Sequence, residues 1–213
     1  MNITVFGATG AIGALTVNEL LTQGHTVTAD ARNRKKVPSG WGDDVRVVVG
    51  EISDRAAIHS AIDGADVVVS ALGPDLSRKA QGLPLVEGTR HILDSMTRHG
   101  VKRYIGHATP SILDPQEKPT AQTRMTKFLG SMFLPRASRE LVGMIDQIMA
   151  SGIDWTIIRF TAPKNTPKTG RVRAGFFGTD KIGAAVSRAD IAAFTASQVS
   201  DDTYLNRAPA ISN

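Results

Sequence analysis

A chain of 213 residues with 41% apolar and 21% charged side chains has the size and balance of one soluble domain, able to bury a sizeable core. The absence of cysteine excludes a disulfide framework, a thiolate metal site and a cysteine nucleophile, and no apolar run reaches the roughly 20 residues that cross a bilayer. The net charge of +5 is spread along the chain, clustered tightly only at Arg32, Arg34, Lys35 and Lys36 and without aromatic-rich strands, so nucleic acid is not expected as partner; without a spanning run, neither is a membrane.

Strand and helix patterns alternate from the first residue. Ile3–Phe6 is a β-branched apolar run with no basic lead before it, so a secretory signal is not expected and cytoplasmic residence is. A glycine turn follows, and Ala14–Thr22 then carries helical periodicity in Leu15, Val17, Leu20 and Leu21. Gly24 stops that helix, and His25–Ala31 and Val45–Val49 read as strands. The pattern continues with a helix at Arg55–Ile62, a strand at Ala65–Ser70, a helix at Thr89–His99 and a strand at Lys102–His107. It closes with a helix at Val142–Ala150 and a strand at Trp155–Arg159. Such alternation predicts a single-domain α/β fold, a doubly wound parallel sheet covered on both faces in three α/β/α layers. The irregular stretches at about 109–119 and 163–178 follow strand ends, where open α/β sheets bind ligands, and are expected to be substrate loops. No dimerisation stripe is recognised, and the oligomeric state is left open.

The turn itself reads Gly7, Ala8, Thr9, Gly10, Ala11, Ile12, Gly13. A bare Gly-x-x-Gly-x-x-Gly says little, but here it leaves a strand and opens a helix. Gly7 allows the sharp turn, Gly10 lets backbone amides approach a pyrophosphate, and Gly13 lets helix and sheet pack closely. The helix N-terminus supplies unpaired N–H groups to the phosphates. A nicotinamide dinucleotide is therefore the expected ligand. Asp30 lies about 20 residues after the turn, where NAD-binding chains carry an acid for the ribose. Counted from Gly24 and His25, however, strand alternation directs Ala31 to the ribose and leaves Arg32 beside it. Ala31 admits a 2′-phosphate and Arg32 can grip it, so NADP(H) is expected over NAD(H).

Several further segments resemble a known family. ITVFGATGAIG, TADARNRKKV, GEISD at Gly50–Asp54, SALG at Ser70–Gly73, GVKRYI, SGIDWTIIR, SRADIAAF at Ser187–Phe194 and the final PAISN occur in order across the chain. Together they resemble atypical short-chain dehydrogenases/reductases, specifically the NmrA-like NAD(P)-binding proteins and the NADPH-dependent flavin reductase/biliverdin reductase B group. The resemblance implies that Thr9, Gly10, Ala11 and Ile12 contact the pyrophosphate and that Arg32 meets the adenosine phosphate. It further implies that Glu51 and Ile52 border the adenine, while Ala71, Leu72 and Gly73 run along the middle of the coenzyme. His107, Ala108, Thr109 and Phe160 would flank the nicotinamide.

One departure from the wider family stands out. Standard short-chain reductases carry Tyr-x-x-x-Lys on the helix before the sixth strand, with the tyrosine as proton donor. Neither Tyr104 nor Tyr204 is followed by such a lysine, and Ala137 and Leu141 are expected at the two positions. Hydride transfer to a flavin or linear tetrapyrrole needs stacking more than a strong acid, and the flavin-reductase resemblance implies a hydroxyl just after the fifth strand. In HATPSILDP, Thr109 takes that place, Ser111 is a second candidate, and His107 orients the carboxamide or relays a proton. The expected activity is NADPH-dependent hydride transfer to a small, flat, conjugated acceptor, with flavin as substrate rather than prosthetic group. The alternative is an NADP(H)-binding redox sensor without catalysis. A sugar or isoprenoid epimerase ranks last, because those enzymes carry a larger C-terminal part. No metal site is expected, since the histidines and carboxylates show no ligand spacing.

Overall fold

The computed structural model describes residues 1–77 and 79–213. Its central sheet is built from β1 (Asn2–Phe6), β2 (Thr26–Ala31), β3 (Val45–Val49), β4 (Val67–Ser70), β5 (Arg103–Ala108) and β6 (Asp154–Arg159). Two more strands, β8 (Arg173–Gly175) and β10 (Ala210–Ser212), extend it at one edge, while β7 (Pro163–Lys164) and β9 (Val186–Ser187) pair separately. The sheet order is β3-β2-β1-β4-β5-β6-β10-β8, parallel throughout except that β8 runs antiparallel to β10. The chain winds outward in one direction from β1 to β3 and returns to the other side of β1 at β4. That reversal opens a crevice at the carboxyl ends of β1 and β4, the place where doubly wound sheets take ligands.

Among the described residues six α-helices cover the sheet: α1 (Gly13–Thr22), α2 (Arg55–Ile62), α3 (Pro84–His99), α4 (Ala121–Phe133), α5 (Pro135–Ala150) and α6 (Arg188–Ser197). Strand alternation sorts the core into two layers. Ile3, Val5, Val27, Ile105 and Ile158 pack with Val17, Leu20 and Ile191 beneath α1 and α6. On the other face Phe6, Val68, Tyr104 and Ile157 pack with Ile58, Ile92, Met96, Ile145 and Ile148 beneath α2, α3 and α5. The predicted three-layer α/β architecture is what the structure shows.

The differences from the sequence reading lie at helix starts and in unassigned segments. α3 begins at Pro84 and α5 at Pro135, each several residues earlier than predicted, because proline is accommodated at the first helical position where its missing N–H is not needed. Gly88 interrupts the apolar pattern of α3 yet belongs inside it: a Cβ there would collide with Ile52. α4 and α6 were not assigned as helices from sequence. Thr120 caps α4 in a reciprocal capping box with Thr123, and Ser187 caps α6. α4 also carries an exposed apolar stripe, Met125, Phe128, Leu129, Met132 and Phe133, that the sequence reading did not recognise. Among the described residues no helix is long and apolar enough to cross a membrane.

Candidate active site

The glycine turn has the geometry its spacing implies. Gly7 lies at φ 71°, and a Cβ on it would stand 3.1 Å from the Ala71 carbonyl carbon, so the turn is pressed against the end of β4. A Cβ on Gly13 would overlap the Gly7 carbonyl, which lets α1 start directly behind the turn. The Gly10 amide donates to the Gly7 carbonyl oxygen at 3.0 Å, and Ala14 donates to that of Gly10 at 2.9 Å. Ile12 is the N-cap residue and offers no side-chain acceptor, and the first turn of α1 carries no acid. By contrast Asp54, Thr120 and Ser187 cap α2, α4 and α6. With no side chain capping this end and only the Ala14 amide of the first turn turned back onto the loop, the start of α1 can receive an external anion, and Gly10 and Ala11 are exposed beside it. These residues fit a pyrophosphate.

At the end of β2 the alternation resolves the two candidates geometrically. Asp30 shares its strand face with Thr28 and points to the side of α2, whereas Ala31 continues the face of Val27 and Ala29 toward α1. Asp30 is only 6% exposed; burial raises its carboxyl to about 7, with Arg32 pulling it down and Glu51 pushing it up. Arg32 is exposed, as are Arg34, Lys35 and Lys36. Glu51 is exposed and Ile52 half-buried beneath α3 at Gly88. Ala71 and Leu72 are half-buried and Gly73 exposed along the rim after β4, with the Ala71 amide donating to the Phe6 carbonyl oxygen at 2.9 Å.

His107 and Ala108 end β5, and Phe160 follows β6 alongside them, its amide donating to the Ala108 carbonyl oxygen at 3.1 Å. The His107 ring stands edge-on to Phe160 at 5.3 Å between centroids, and its Nε2 lies 2.9 Å from Thr195 Oγ1 on α6. Thr195 already donates its hydroxyl proton to the Ile191 carbonyl oxygen at 2.7 Å. His107 Nε2 therefore carries the proton and Nδ1 is a bare acceptor. Burial lowers the imidazole pKa to about 4.

Beyond these residues opens a cavity of about 450 Å³, walled by the loops after β4, β5 and β6 and by α4 and α5. Thr109 and Ser111 enter it as a pair, their hydroxyl oxygens 2.7 Å apart. Ala137 and Leu141, at the positions expected for the missing tyrosine and lysine, form part of its wall. Among the described residues every polar side chain lining it is a hydroxyl. Tyr104 is buried in the core, where burial raises its phenol to about 12, and Tyr204 packs near Phe176 and Phe194, so neither tyrosine reaches the cavity.

Both irregular loops are tied down by buried charge. Arg159 at the end of β6 is fully buried; its Nη1 donates to Glu117 Oε2 at 2.6 Å and to the Ile112 carbonyl oxygen at 2.9 Å, and its guanidinium lies over Phe177. Arg207 donates Nε and Nη2 to the buried Asp114, which also accepts from the Ala208 amide at 2.7 Å. Burial pushes the Asp114 carboxyl up, but these donors together hold it below the ordinary carboxylate value. Asp190 on α6 accepts from the amides of Thr169 and Gly170 and the hydroxyls of Ser187 and Thr169; against the upward push of burial, these hold its pKa at about 2. Ala162, next to the cavity-lining Thr161, holds φ 43°, a strained conformation for a residue with a Cβ.

Sequence reasoning thus named the turn, Thr109 and Ser111, but missed the α4 wall at Leu129 and Phe133 and the anchors Glu117, Asp114 and Asp190. The Ser-x-x-Asp spacing at Ser187 and Asp190 was a usable helix-start signal; nothing local marks the others. Among the described residues no cluster of histidine and carboxylate side chains has metal-holding geometry.

Comparison with known proteins agrees with this geometry. A family model described as NAD(P)H-binding matches residues 7–202. A 3-diazoavenalumate denitrifying reductase of a Streptomyces species is 32% identical over 130 residues, 56% of this chain and 41% of that protein. An uncharacterized chloroplastic protein of Arabidopsis thaliana is 29% identical over 188 residues, covering 80% of this chain and 62% of its own length. The chain spans only 12% of the length of uncharacterized mycobacterial proteins that it matches at 33% identity over 105 residues. Among solved structures, a short-chain dehydrogenase/reductase of Veillonella parvula in complex with NADP superposes with a TM-score of 0.79 at 21% identity, over 100% of this chain and 94% of that one. An anaerobillin reductase of Escherichia coli O157:H7 superposes with a TM-score of 0.76 at 18% identity, over 99% and 96%. The fold is shared with the two solved structures, and the family match covers nearly the whole chain. The chain belongs to this NAD(P)H-binding family.

Proposed function

We propose that this chain is an NADPH-dependent reductase whose acceptor is a flavin or a similarly flat, conjugated molecule. The observation that carries the reading is the 450 Å³ cavity lined by Thr109, Ser111 and Thr161, in which Ala137 and Leu141 stand where a ketone reductase keeps its acid and base. NADPH, when bound at the glycine turn, supplies a hydride. The chain's own residues then do three things. The first turn of α1 and Arg32 hold the phosphates; Arg32, with Ala31 beside it, favours the 2′-phosphorylated coenzyme. His107 stays neutral at pH 7 and presents Nδ1 to a carboxamide N–H, which suits orientation and not proton relay. The Thr109–Ser111 pair hydrogen-bonds the reduced acceptor and conducts a solvent proton to it.

The reductase names of two similar proteins support this reading, and one structural neighbour is described with NADP bound. A sensor without chemistry needs no acceptor cavity, so the cavity favours the enzyme. Purified protein is expected to oxidise NADPH when FMN, FAD or a quinone is added. Tight NADPH binding with no turnover across that panel would sink the proposal.

A further inference from the structure

α4 has no role in the glycine turn or the loop anchors, yet it is the most apolar exposed element of the molecule. Met125, Phe128, Met132 and Phe133 are 57%, 60%, 60% and 67% exposed, and Leu129 is 43% exposed. These five sit at i, i+3, i+4, i+7 and i+8, one continuous stripe on a helix. Exposed aromatic and sulfur side chains in such a row exceed what a solvated surface helix carries. The flanking charge has one sign. Between Glu117 and Glu140 the sequence contains no acid but five cations. Arg136 is held by Glu140 at 2.8 Å, leaving Lys118, Arg124, Lys127 and Arg139 exposed.

We propose that α4 docks on an anionic lipid bilayer surface, with its apolar stripe in the headgroup region and these cations against lipid phosphates. A second copy of the chain is the poorer occupant. A two-fold contact through this face would set the same four cations of each copy against one another, with no acid in the segment to offset them. A peripheral contact needs no spanning helix; the expectation of no membrane partner rested on the absence of a spanning segment.

The acceptor cavity lies against the same helix. Leu129 and Phe133 belong both to the exposed stripe and to the cavity wall, so the cavity opens at the edge that would face the bilayer. Among the described residues hydroxyls are the only polar side chains in that wall, which favours an uncharged ring inside the cavity. The acceptor class is then an uncharged, lipid-soluble quinone-like molecule, which gains two electrons and one proton as the coenzyme's hydride and a second proton from solvent. This last step rests on the reductase reading, whereas the docking does not.

The test uses the full chain and vesicles of phosphatidylglycerol and phosphatidylcholine in equal parts, against vesicles of phosphatidylcholine alone. The protein is expected to co-sediment with the mixed vesicles, to bind the neutral ones at least tenfold more weakly, and to be released by high salt. M125S/F128S, which leaves the cavity wall intact, is expected to lose at least tenfold in vesicle binding while its NADPH affinity and thermal midpoint stay unchanged. Failure to sediment with either vesicle overturns the docking. So does a solution mass of two chains that M125S/F128S reduces to one. In a second arm both proteins should reduce a water-soluble quinone equally, and only the parent should reduce a long-chain quinone carried in mixed vesicles. Equal rates of both proteins on the vesicle-borne quinone contradict the delivery route. No turnover of either quinone overturns the reductase reading while leaving the sedimentation result standing.

Discussion

His107 Nε2 on β5 and Thr195 Oγ1 on α6 lie 2.9 Å apart, and because the threonine proton is committed to Ile191, the imidazole is locked as the Nε2–H tautomer. A buried, neutral histidine so fixed has a consequence for stability. Its folded pKa of about 4 lies below the unfolded value, so its contribution is present above pH 6.5 and is lost as pH falls toward 4. Asp30, raised to about 7, has the opposite sign: its contribution is present below the unfolded value of 3.8 and is lost as pH rises toward 7. The two oppose each other between these limits. Asp30→Asn removes one of them, and the change in unfolding free energy between pH 5 and pH 7 should become more favourable by about 2 kcal/mol than in the parent. Urea titrations at the two pH values measure it, and an unchanged difference would show that Asp30 is ionised throughout.

At the adenosine end, Arg32→Ala is expected to weaken NADPH binding about tenfold and leave NADH binding within a factor of two, the loss of one exposed charge-assisted contact. Asp30 faces the other side of β2 but lies close enough to feel Arg32, so its ionisation above pH 7 should reduce the NADPH over NADH preference. Asp30→Asn should flatten that pH dependence. Fluorescence titration with both coenzymes at pH 6 and 8 checks both variants.

Gly13→Ala places a methyl on the Gly7 carbonyl. The turn must move, at a cost of about 1–3 kcal/mol, and coenzyme affinity should drop far more than global stability explains. A variant that binds NADPH normally would show that the turn has slack the structure does not have.

The buried pair Arg159–Glu117, 0% and 2% exposed, holds the loop after β5 against β6. Glu117→Ala strands the guanidinium without its carboxylate and should cost about 3–5 kcal/mol. Equilibrium unfolding is the measurement; a loss below 1 kcal/mol would mean that water reaches Arg159. Ala137→Phe, by contrast, fills the cavity from α5 and is expected to abolish acceptor turnover while leaving NADPH affinity intact.

What could be read from the chain was what is local. The β1–glycine turn–α1 unit, the glycine stops and the strand alternation at Asp30 and Ala31 depend on neighbours in sequence, and the fold follows from them. The true helix starts at Pro84 and Pro135 lie ahead of the predicted ones, because whether a proline opens a helix depends on what lies beyond it. α4 did carry a readable signal, Thr120 followed by Met125, Phe128, Leu129, Met132 and Phe133 at helical spacing; what the period does not tell is that this stripe faces solvent. The anchors were out of reach for another reason: Glu117 and Arg159 are 42 residues apart, and only the docking of the β5 loop on β6 brings them together. The cavity wall depends likewise on where α4 and α5 settle. Ala137 and Leu141 were identified as substitutions, but that they line the acceptor space is a tertiary fact.

The most direct test is an anaerobic single turnover, mixing NADPH-saturated protein with FMN and, separately, with a quinone, using coenzyme with hydrogen or deuterium at nicotinamide C4. Coenzyme oxidation and acceptor reduction are expected to proceed at one rate, deuterium to slow both, and Ala137→Phe to stop both. Saturable NADPH binding with no coenzyme oxidation on any acceptor would contradict the reductase reading.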